Sequence, residues 1–428
     1  MLEFLINPKI ITLIIFILTY LGLIFFPKKR LVFAGAGAIL IIIFGIINFS
    51  EIFSVIDWNI LLMIFGTSGL VILFSESKMP AFLGEKLIEK APNFQWAIVF
   101  LSLLSGFISA FLENVSTLLI LAPVALSIAK KLKVSPVPLL ITIAISSNLQ
   151  GAATLIGDPT SIMLGSYANL NFLEFFFLNG KPGIFFAVEI GALASALIIY
   201  FLFRKEKQPI KTDEFTKVTD FFPTILILLM ILSLICVSFI KEKPSLTNGL
   251  ICLIFFVIGI IRDLIVKKDF SFNKILKNLN CETLALLFFI FIIIGAVVKV
   301  GIVSDIASIL VSLGKGKIFL LYSIIVWGSV LASAFIDNIP YVATMLPVIS
   351  SLTAKLGISP YLFYFGLLSG ATLGGNITPI GASTNITALN ILKKEGYTVS
   401  FKEFAKYSVP LTLAAVTSGY LFIWFVWS

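Results

Sequence analysis

Ser109-Ala110-Phe111-Leu112-Glu113-Asn114 recurs 224 residues later as Ser333-Ala334-Phe335-Ile336-Asp337-Asn338, and this pair of hexapeptides decides the fold. The same offset, without a gap, carries Pro123 onto Pro347, Ser135-Pro136 onto Ser359-Pro360, Gly151 onto Gly375, Thr154 onto Thr378 and Ile156-Gly157 onto Ile380-Gly381. Between 109–161 and 333–385, 17 of 53 positions are identical. Unrelated apolar helices share scattered Leu and Ile, not aligned Asn, Pro, Gly and Thr, so the chain reads as two copies of one unit.

The solvent of that unit follows from composition. Of 428 residues 59% are hydrophobic and 12% charged, with a mean hydropathy of +1.09. A water-soluble domain lacks the volume to hide so much apolar surface. Several apolar runs approach or exceed the roughly 18 to 20 residues needed to cross about 30 Å of hydrocarbon. They do not alternate, which points to helices rather than a barrel. The first run ends at Phe26-Pro27-Lys28-Lys29-Arg30 with no small-residue cleavage site and is read as a first span. Length and breakers place spans near 10–27, 31–48, 57–75, 137–166, 183–203, 221–240, 246–262, 282–300, 360–390 and 408–427. The stretches 95–131 and 318–356 each have a polar centre and are read as re-entrant hairpins. Segments 79–90 and 302–313 are read as short amphipathic pieces at the interface.

Basic residues orient the spans. Loops at 28–30, 78–90, 130–133, 204–217, 262–277 and 393–406 hold 23 Lys and Arg, while the opposite side holds 8, from Lys9 to Lys355. The first set is expected to be cytoplasmic, in a multi-pass plasma-membrane protein whose termini both face outward. Clusters of this kind between apolar runs explain the net charge of +9 without a nucleic-acid partner. The expected class is therefore an all-α integral membrane protein of about ten transmembrane helices plus two re-entrant hairpins. The first repeat covers 1–203, a cytoplasmic linker 204–220 and the second repeat 221–428. Five full spans per unit, with a hairpin that returns to its own side, put the two copies in inverted orientation. Many carriers are built that way, because exchanging the conformations of two inverted halves exchanges the side of access.

The chemistry concentrates at the hairpin tips and the broken helices. A carboxylate at bilayer depth is costly unless it meets water or a partner, and each tip has one, Glu113 and Asp337. Beside the first lie Asn114, Ser116 and Thr117, and beside the second Asn338. After each hairpin a long apolar segment is interrupted by glycine and proline, which unwind a helix and free its backbone. The first interruption holds Asn148, Gly151, Thr154, Gly157 and Asp158; the second holds Asn376, Thr378, Gly381, Ser383 and Asn385. Freed carbonyls with Asn, Thr and Ser oxygens suit Na⁺ or a proton-linked carboxylate, and half-helix N-termini suit an anion. Na⁺ is expected at Asn114, Thr154, Asn338 and Thr378.

Blander readings cover the rest. Gly35-Ala36-Gly37 is read as helix packing, and so are Cys236, Cys252 and Cys281, which lack metal-ligand spacing. Glu189 is open between a structural hydrogen bond and a proton path, and the charged loops 204–220 and 262–277 are read as solvated faces. The chain has no histidine, which removes His-dependent zinc sites and Ser-His-Asp or Cys-His catalysis. Neither tip carboxylate lies in a Gly-x-Gly-Asp context and no His-Glu-x-x-His motif exists, so an intramembrane enzyme is set aside. A passive channel would not need an inverted pair of broken helices.

In Ser109 to Thr117, Leu155-Ile156-Gly157-Asp158-Pro159, Ser333 to Pro340 and Leu373 to Asn385, the chain resembles the ion transporter superfamily. The resemblance is to its arsenite-exporter and NhaD-type sodium/proton antiporter branch, with the melanosomal P protein and the citrate and dicarboxylate symporters as relatives. It implies a scaffold domain and a transport domain, in which two hairpins meet two unwound helices, and a homodimer. It implies ion binding at Glu113, Asn114, Asp337 and Asn338, and at Thr154, Gly157, Asp158, Thr378, Gly381, Ser383 and Asn385. The dicarboxylate branch usually reads Ser-Asn-Thr at its tips, whereas these tips are acidic. The expected activity is secondary transport of a small inorganic ion or polar solute, coupled to H⁺ or Na⁺. Arsenite-type export or sodium/proton exchange leads, and an anion symporter for citrate or dicarboxylates is the alternative. No cofactor is expected beyond the coupling ion. The expected partners are membrane lipid and the solute, and an ATPase subunit stays open.

Overall fold

Apolar runs without charge satisfy their backbone internally, and in the computed structural model nearly every such run is helical. It describes residues 7–210, 215–267, 275, 279 and 281–428. Parts of two expected basic loops, 211–214 within 204–217 and 268–274 with 276–277 within 262–277, lie outside the described residues. The first repeat runs α1 (Pro8–Phe25), α2 (Arg30–Ile43), α3 (Trp58–Glu76), α4 (Met79–Glu89), α5 (Phe94–Ser109), α6 (Asn114–Leu132), α7 (Val137–Gly151), α8 (Pro159–Tyr167) and α9 (Ile184–Leu202). The second runs α10 (Phe222–Ser238), α11 (Thr247–Val266), α12 (Cys281–Lys299), α13 (Ile302–Gly314), α14 (Ile318–Ser333), α15 (Asn338–Leu356), α16 (Tyr361–Gly374), α17 (Ser383–Lys394) and α18 (Phe401–Trp427).

The offset of 224 reappears between helices. The starts of α5 and α14, of α6 and α15, and of α8 and α17 are each separated by it. Packing then crosses between the copies: α2 lies against α12 of the other repeat, and α3 against α11. Each hairpin packs on the broken helix of its own repeat, and α7 and α16 also meet the half-helices α17 and α8 of the opposite repeat. Among the described residues eight helices are long and apolar enough to cross a membrane, and Leu228, Leu232, Ile254 and Ile265 are among the large apolar side chains left on the outside for lipid.

Ion pairs and loop contacts sort the helix ends into two groups. Lys9 pairs with Asp305 and Lys299 with Glu51, while Lys355 bonds the Ser304 carbonyl and Trp427 that of Pro182, all at the basic-poor end. At the basic-rich end Lys267 reaches Glu76, Arg262 reaches Asp220, and Thr219 bonds Ser77. The division matches the grouping read from charge.

Four details differ from expectation. The span 31–48 stops at Ile43, because Gly45 takes a φ of +64° and turns the chain into short helical turns at 49–55. The described part of 204–220 is docked rather than simply solvated. The Glu206 and Gln208 carbonyls accept from the N–H groups of Gln95 and Phe94, which otherwise lack partners at the start of α5, and Thr216 bonds Glu85. The loop before α9 pairs Phe177–Leu178 with Lys181–Pro182 as a two-residue antiparallel ladder, an exception to the all-helical pattern. Cys252 is buried as expected, whereas Cys236 and Cys281 lie exposed.

The crossing of α3 and α11 is close enough to test. A Cβ on Gly66 would stand 2.4 Å from the Cys252 carbonyl carbon and 2.6 Å from its oxygen, both backbone atoms. Gly66→Ala should therefore cost about 1–3 kcal/mol, read as earlier thermal unfolding in detergent. Gly328→Ala, with nothing within 4 Å, serves as the control and should leave the transition in place.

Candidate ion and solute site

All three acids of the expected site are helix N-caps. Glu113 precedes α6 and accepts from Ser116 N (2.9 Å) and Ser116 Oγ (2.8 Å). Asp158 precedes α8 and accepts from Thr160 N (2.8 Å) and Thr160 Oγ1 (2.6 Å) through Oδ1. Asp337 precedes α15 and accepts from Ile339 N at 3.2 Å. Capping accounts for the position of these residues but not for their charge, since Asn or Ser caps as well. What the remaining oxygens touch therefore carries the chemistry.

In the first repeat Ser109 Oγ donates to Asn114 Oδ1 (2.6 Å), which turns the Asn114 amide toward Asp158. Its Nδ2 donates to Asp158 Oδ2 (2.5 Å) and to Asn148 Oδ1 (3.3 Å). Asp158 is 3% exposed, and among the described residues no lysine or arginine pairs with it. A buried carboxylate with only neutral donors is an unbalanced charge in a low dielectric. Asn148 continues the chain into the other repeat, donating to Asn376 Oδ1 (2.7 Å) and Asn385 Oδ1 (3.3 Å). A second bridge joins the Thr160 and Thr372 hydroxyls at 3.0 Å. Thr160 spends its proton on Asp158, so Thr372 is the donor in that bridge. The two copies thus meet in one polar network at the unwound segments.

The unwound segments hold their hairpin tips by repeated contacts. The Thr154 hydroxyl donates to the Ala110 carbonyl and that of Thr378 to the Ala334 carbonyl, while Ile156 N and Ile380 N each donate back at 3.4 Å. Each hydroxyl so keeps one lone pair for a cation. Ser161 Oγ donates to the Gly151 carbonyl (3.2 Å), and Asn385 Nδ2 makes the equivalent bond to the Gly375 carbonyl (3.3 Å). Gly157 and Gly381 let these backbones touch. A Cβ there would stand 2.5 Å from the Gly151 and Gly375 carbonyl oxygens respectively. Ser116 and Thr117 bond back to Glu113: Ser116 Oγ donates to the carboxylate and Thr117 Oγ1 to the Glu113 backbone carbonyl at 3.1 Å.

The two repeats differ in the residues they bring to this network. Asp158 corresponds to Ala382, so the second half lacks that carboxylate, and among the described residues the buried Ser333 Oγ and Asn376 Nδ2 have no hydrogen-bond partner. Asn338 is buried as well. Asp337 Oδ2 instead accepts from Ser383 Oγ (3.2 Å) and Arg30 Nη1 (3.1 Å). Arg30 was counted in the sequence only as part of a basic cluster. The available signal was its type: it is one of three arginines among 31 basic residues, and a guanidinium fork suits carboxylates. Toward the basic-poor end a cavity of about 1120 Å³ opens between α3, α11 and α12 on one side and α8 and α15 on the other. It is lined by Asp57, Asn59, Lys241, Lys243 and Lys299 near its mouth and by Met163, Ala343 and Pro347. Glu189, on α9, lies outside this network.

The family model described as citrate transporter matches residues 13–266 and 249–428. The chain belongs to the citrate transporter family. Its relatives include the 46 kDa membrane protein of Mycobacterium leprae, 29% identical over 97% of this chain and 98% of that protein. An uncharacterized transporter of Mycobacterium tuberculosis is 27% identical over 97% and 98% of the two chains. The human P protein is 26% identical over 86% of this chain and 53% of its own length. Among solved structures, the YdaH transporter of Alcanivorax borkumensis superimposes with a TM-score of 0.62 at 12% identity, over 88% of this chain and 87% of that one. MtrF of Neisseria gonorrhoeae, titled an antimetabolite efflux pump, gives 0.59 at 15% identity over 91% and 84%. These two likenesses concern the fold. Membership of the citrate transporter family makes this chain a multi-pass membrane transporter.

Proposed function

We propose that this transporter is a secondary active carrier that moves a small inorganic ion or polar solute by alternating access, coupled to H⁺ or Na⁺. The observation that supports it best is Asp158, buried without a basic partner and held by Asn114 and Thr160 where the two repeats meet. A carboxylate in that state gains most from a cation or proton that arrives and leaves. Asn114, Thr154, Asn338 and Thr378, with nearby freed carbonyls, are the proposed Na⁺ ligands. Asn148, Asn376 and Asn385 are proposed to face the solute, and Gly151, Gly157, Gly381 and Ser383 to shape the unwound backbone around it. Sodium/proton exchange or arsenite-type export fits three acids best. The proposal places repeats 1–203 and 221–428 in inverted orientation in the plasma membrane, with both termini outside.

The family match favours a second reading, symport of citrate or a related anion, and Lys241, Lys243 and Lys299 along the cavity are compatible with it. Proteoliposomes separate the readings. Na⁺, Li⁺, arsenite, citrate and sulfate fluxes are measured under imposed proton or sodium gradients. Saturable, gradient-driven flux supports a carrier, and its ion identifies the branch; ohmic current contradicts the proposal. Asp337→Asn keeps an N-cap and should abolish driven flux while leaving insertion intact. Unchanged driven flux removes Asp337 from the mechanism.

A further inference from the structure

The two acidic tips are equivalent in sequence but not in surroundings. Glu113 accepts from Ser116 N and Oγ within its own repeat. Asp337 faces Arg30, which stands at the start of α2 in the other repeat and holds Asp337 Oδ2 at 3.1 Å. The same guanidinium bonds Glu282 Oε1 at 2.8 Å through Nε and Ser383 Oγ at 3.3 Å through Nη1. Glu282 lies on α12, which packs on α2, so one arginine is shared between a carboxylate of the α2–α12 pair and a carboxylate of a hairpin tip. The Arg30 and Asp337 side chains are only 19% and 20% exposed, so water screens the pair incompletely.

We propose that Arg30 is a tethered counter-cation: a positioning residue that neutralises Asp337 when the coupling cation is absent and competes with that cation for the carboxylate. This rests on the reading that Asp337 takes part in the ion cycle. A cation arriving at Asp337 displaces the guanidinium, which keeps Glu282 and is not left as an unpaired buried charge. Glu282 therefore acts in the opposite sense to Arg30: it draws the arginine away from the tip. The first tip has no such competitor among the described residues, so the two tips hold cations with different strength.

The test titrates the driving cation, Na⁺ or H⁺, in proteoliposome flux with Arg30→Gln, Arg30→Lys and Glu282→Gln. Arg30→Gln should lower the half-saturating cation concentration about tenfold, equivalent to about 1.4 kcal/mol. Arg30→Lys keeps the charge and should shift it much less. Glu282→Gln leaves the arginine to Asp337 alone and should raise it, which keeps the proposal testable if Arg30→Gln fails to fold. A bracing role alone would lower the amount of folded protein without opposite shifts in cation dependence. Should Asp337→Asn abolish driven flux while Arg30→Gln and Glu282→Gln titrate like the parent, the competition is refuted and the site reading stands. Should Asp337→Asn leave driven flux intact, the site reading fails and the competition with it.

Discussion

Asp158→Asn is expected to insert and fold normally and to lose at least about 100-fold in ion-driven flux. The folding half of this result follows from geometry. Asparagine caps a helix about as well as aspartate, so the bond from Thr160 N at the start of α8 survives. The functional half follows from charge. Asp158 accepts from Asn114 Nδ2, Thr160 N and Thr160 Oγ1, all neutral donors, and stands 3% exposed. Charge-assisted contacts contribute roughly 1.5–3 kcal/mol each and 100-fold corresponds to about 2.7 kcal/mol, so losing one such contact with the coupling cation at the upper end of that range, or two at its lower end, accounts for the effect. Flux in proteoliposomes with matched protein content, alongside size-exclusion profiles, checks it. Wild-type driven flux in Asp158→Asn would demote this residue to a cap and shift the mechanism to the tips.

Gly157→Ala and Gly381→Ala are each expected to destabilise the folded state by about 3 kcal/mol. The added Cβ at Gly157 would lie 2.5 Å from the Gly151 oxygen and 2.7 Å from those of Ser109 and Ala110. At Gly381 the neighbours are the Gly375, Ser333 and Ala334 oxygens at 2.5, 2.8 and 2.9 Å. All are backbone atoms, so no rotamer change relieves the contact. The same carbonyls of Ala110 and Ala334 accept from Thr154 and Thr378, so pushing a tip away also breaks its tether. Thermal unfolding in detergent measures the loss. A melting curve unchanged in both variants would mean that tip and unwound segment are not in contact.

The internal repeat and the helical class were legible because duplication leaves polar and breaking residues in register, and because lipid enforces long apolar runs. The ends of elements were less legible. The stop at Ile43 depends on the conformation of Gly45, which apolar composition does not reveal. The docking of 206–208 on α5 is made by two backbone bonds and one side-chain bond, Lys207 to Gln95, so composition gives little sign of it. Within the site, Asn114, Asp158 and Asn148 stood out as polar residues at apolar depth. Their order in a chain crossing the repeats did not, since Asn148 meets Asn376 across 228 residues at no constant offset. Arg30 was hidden by its neighbours: beside Lys28 and Lys29 it looked like one more charge in a basic loop. The difference between Asp158 and Ala382 could be read from the aligned repeats, yet its meaning appears only once the Ser333 hydroxyl and the Asn376 amide nitrogen are seen without partners among the described residues.

In alternating access the polar network faces the two sides of the membrane in turn. Ala343, on α15 and along the cavity, is the position from which to ask. With Cys236, Cys252 and Cys281 replaced by serine or alanine, Ala343→Cys is labelled in oriented vesicles by an impermeant thiol reagent from each side in turn. Labelling from one side under one ion gradient, and from the other side when the gradient and driving cation are reversed, is the predicted result. Labelling from both sides at once, or from a single side under every condition, contradicts alternating access.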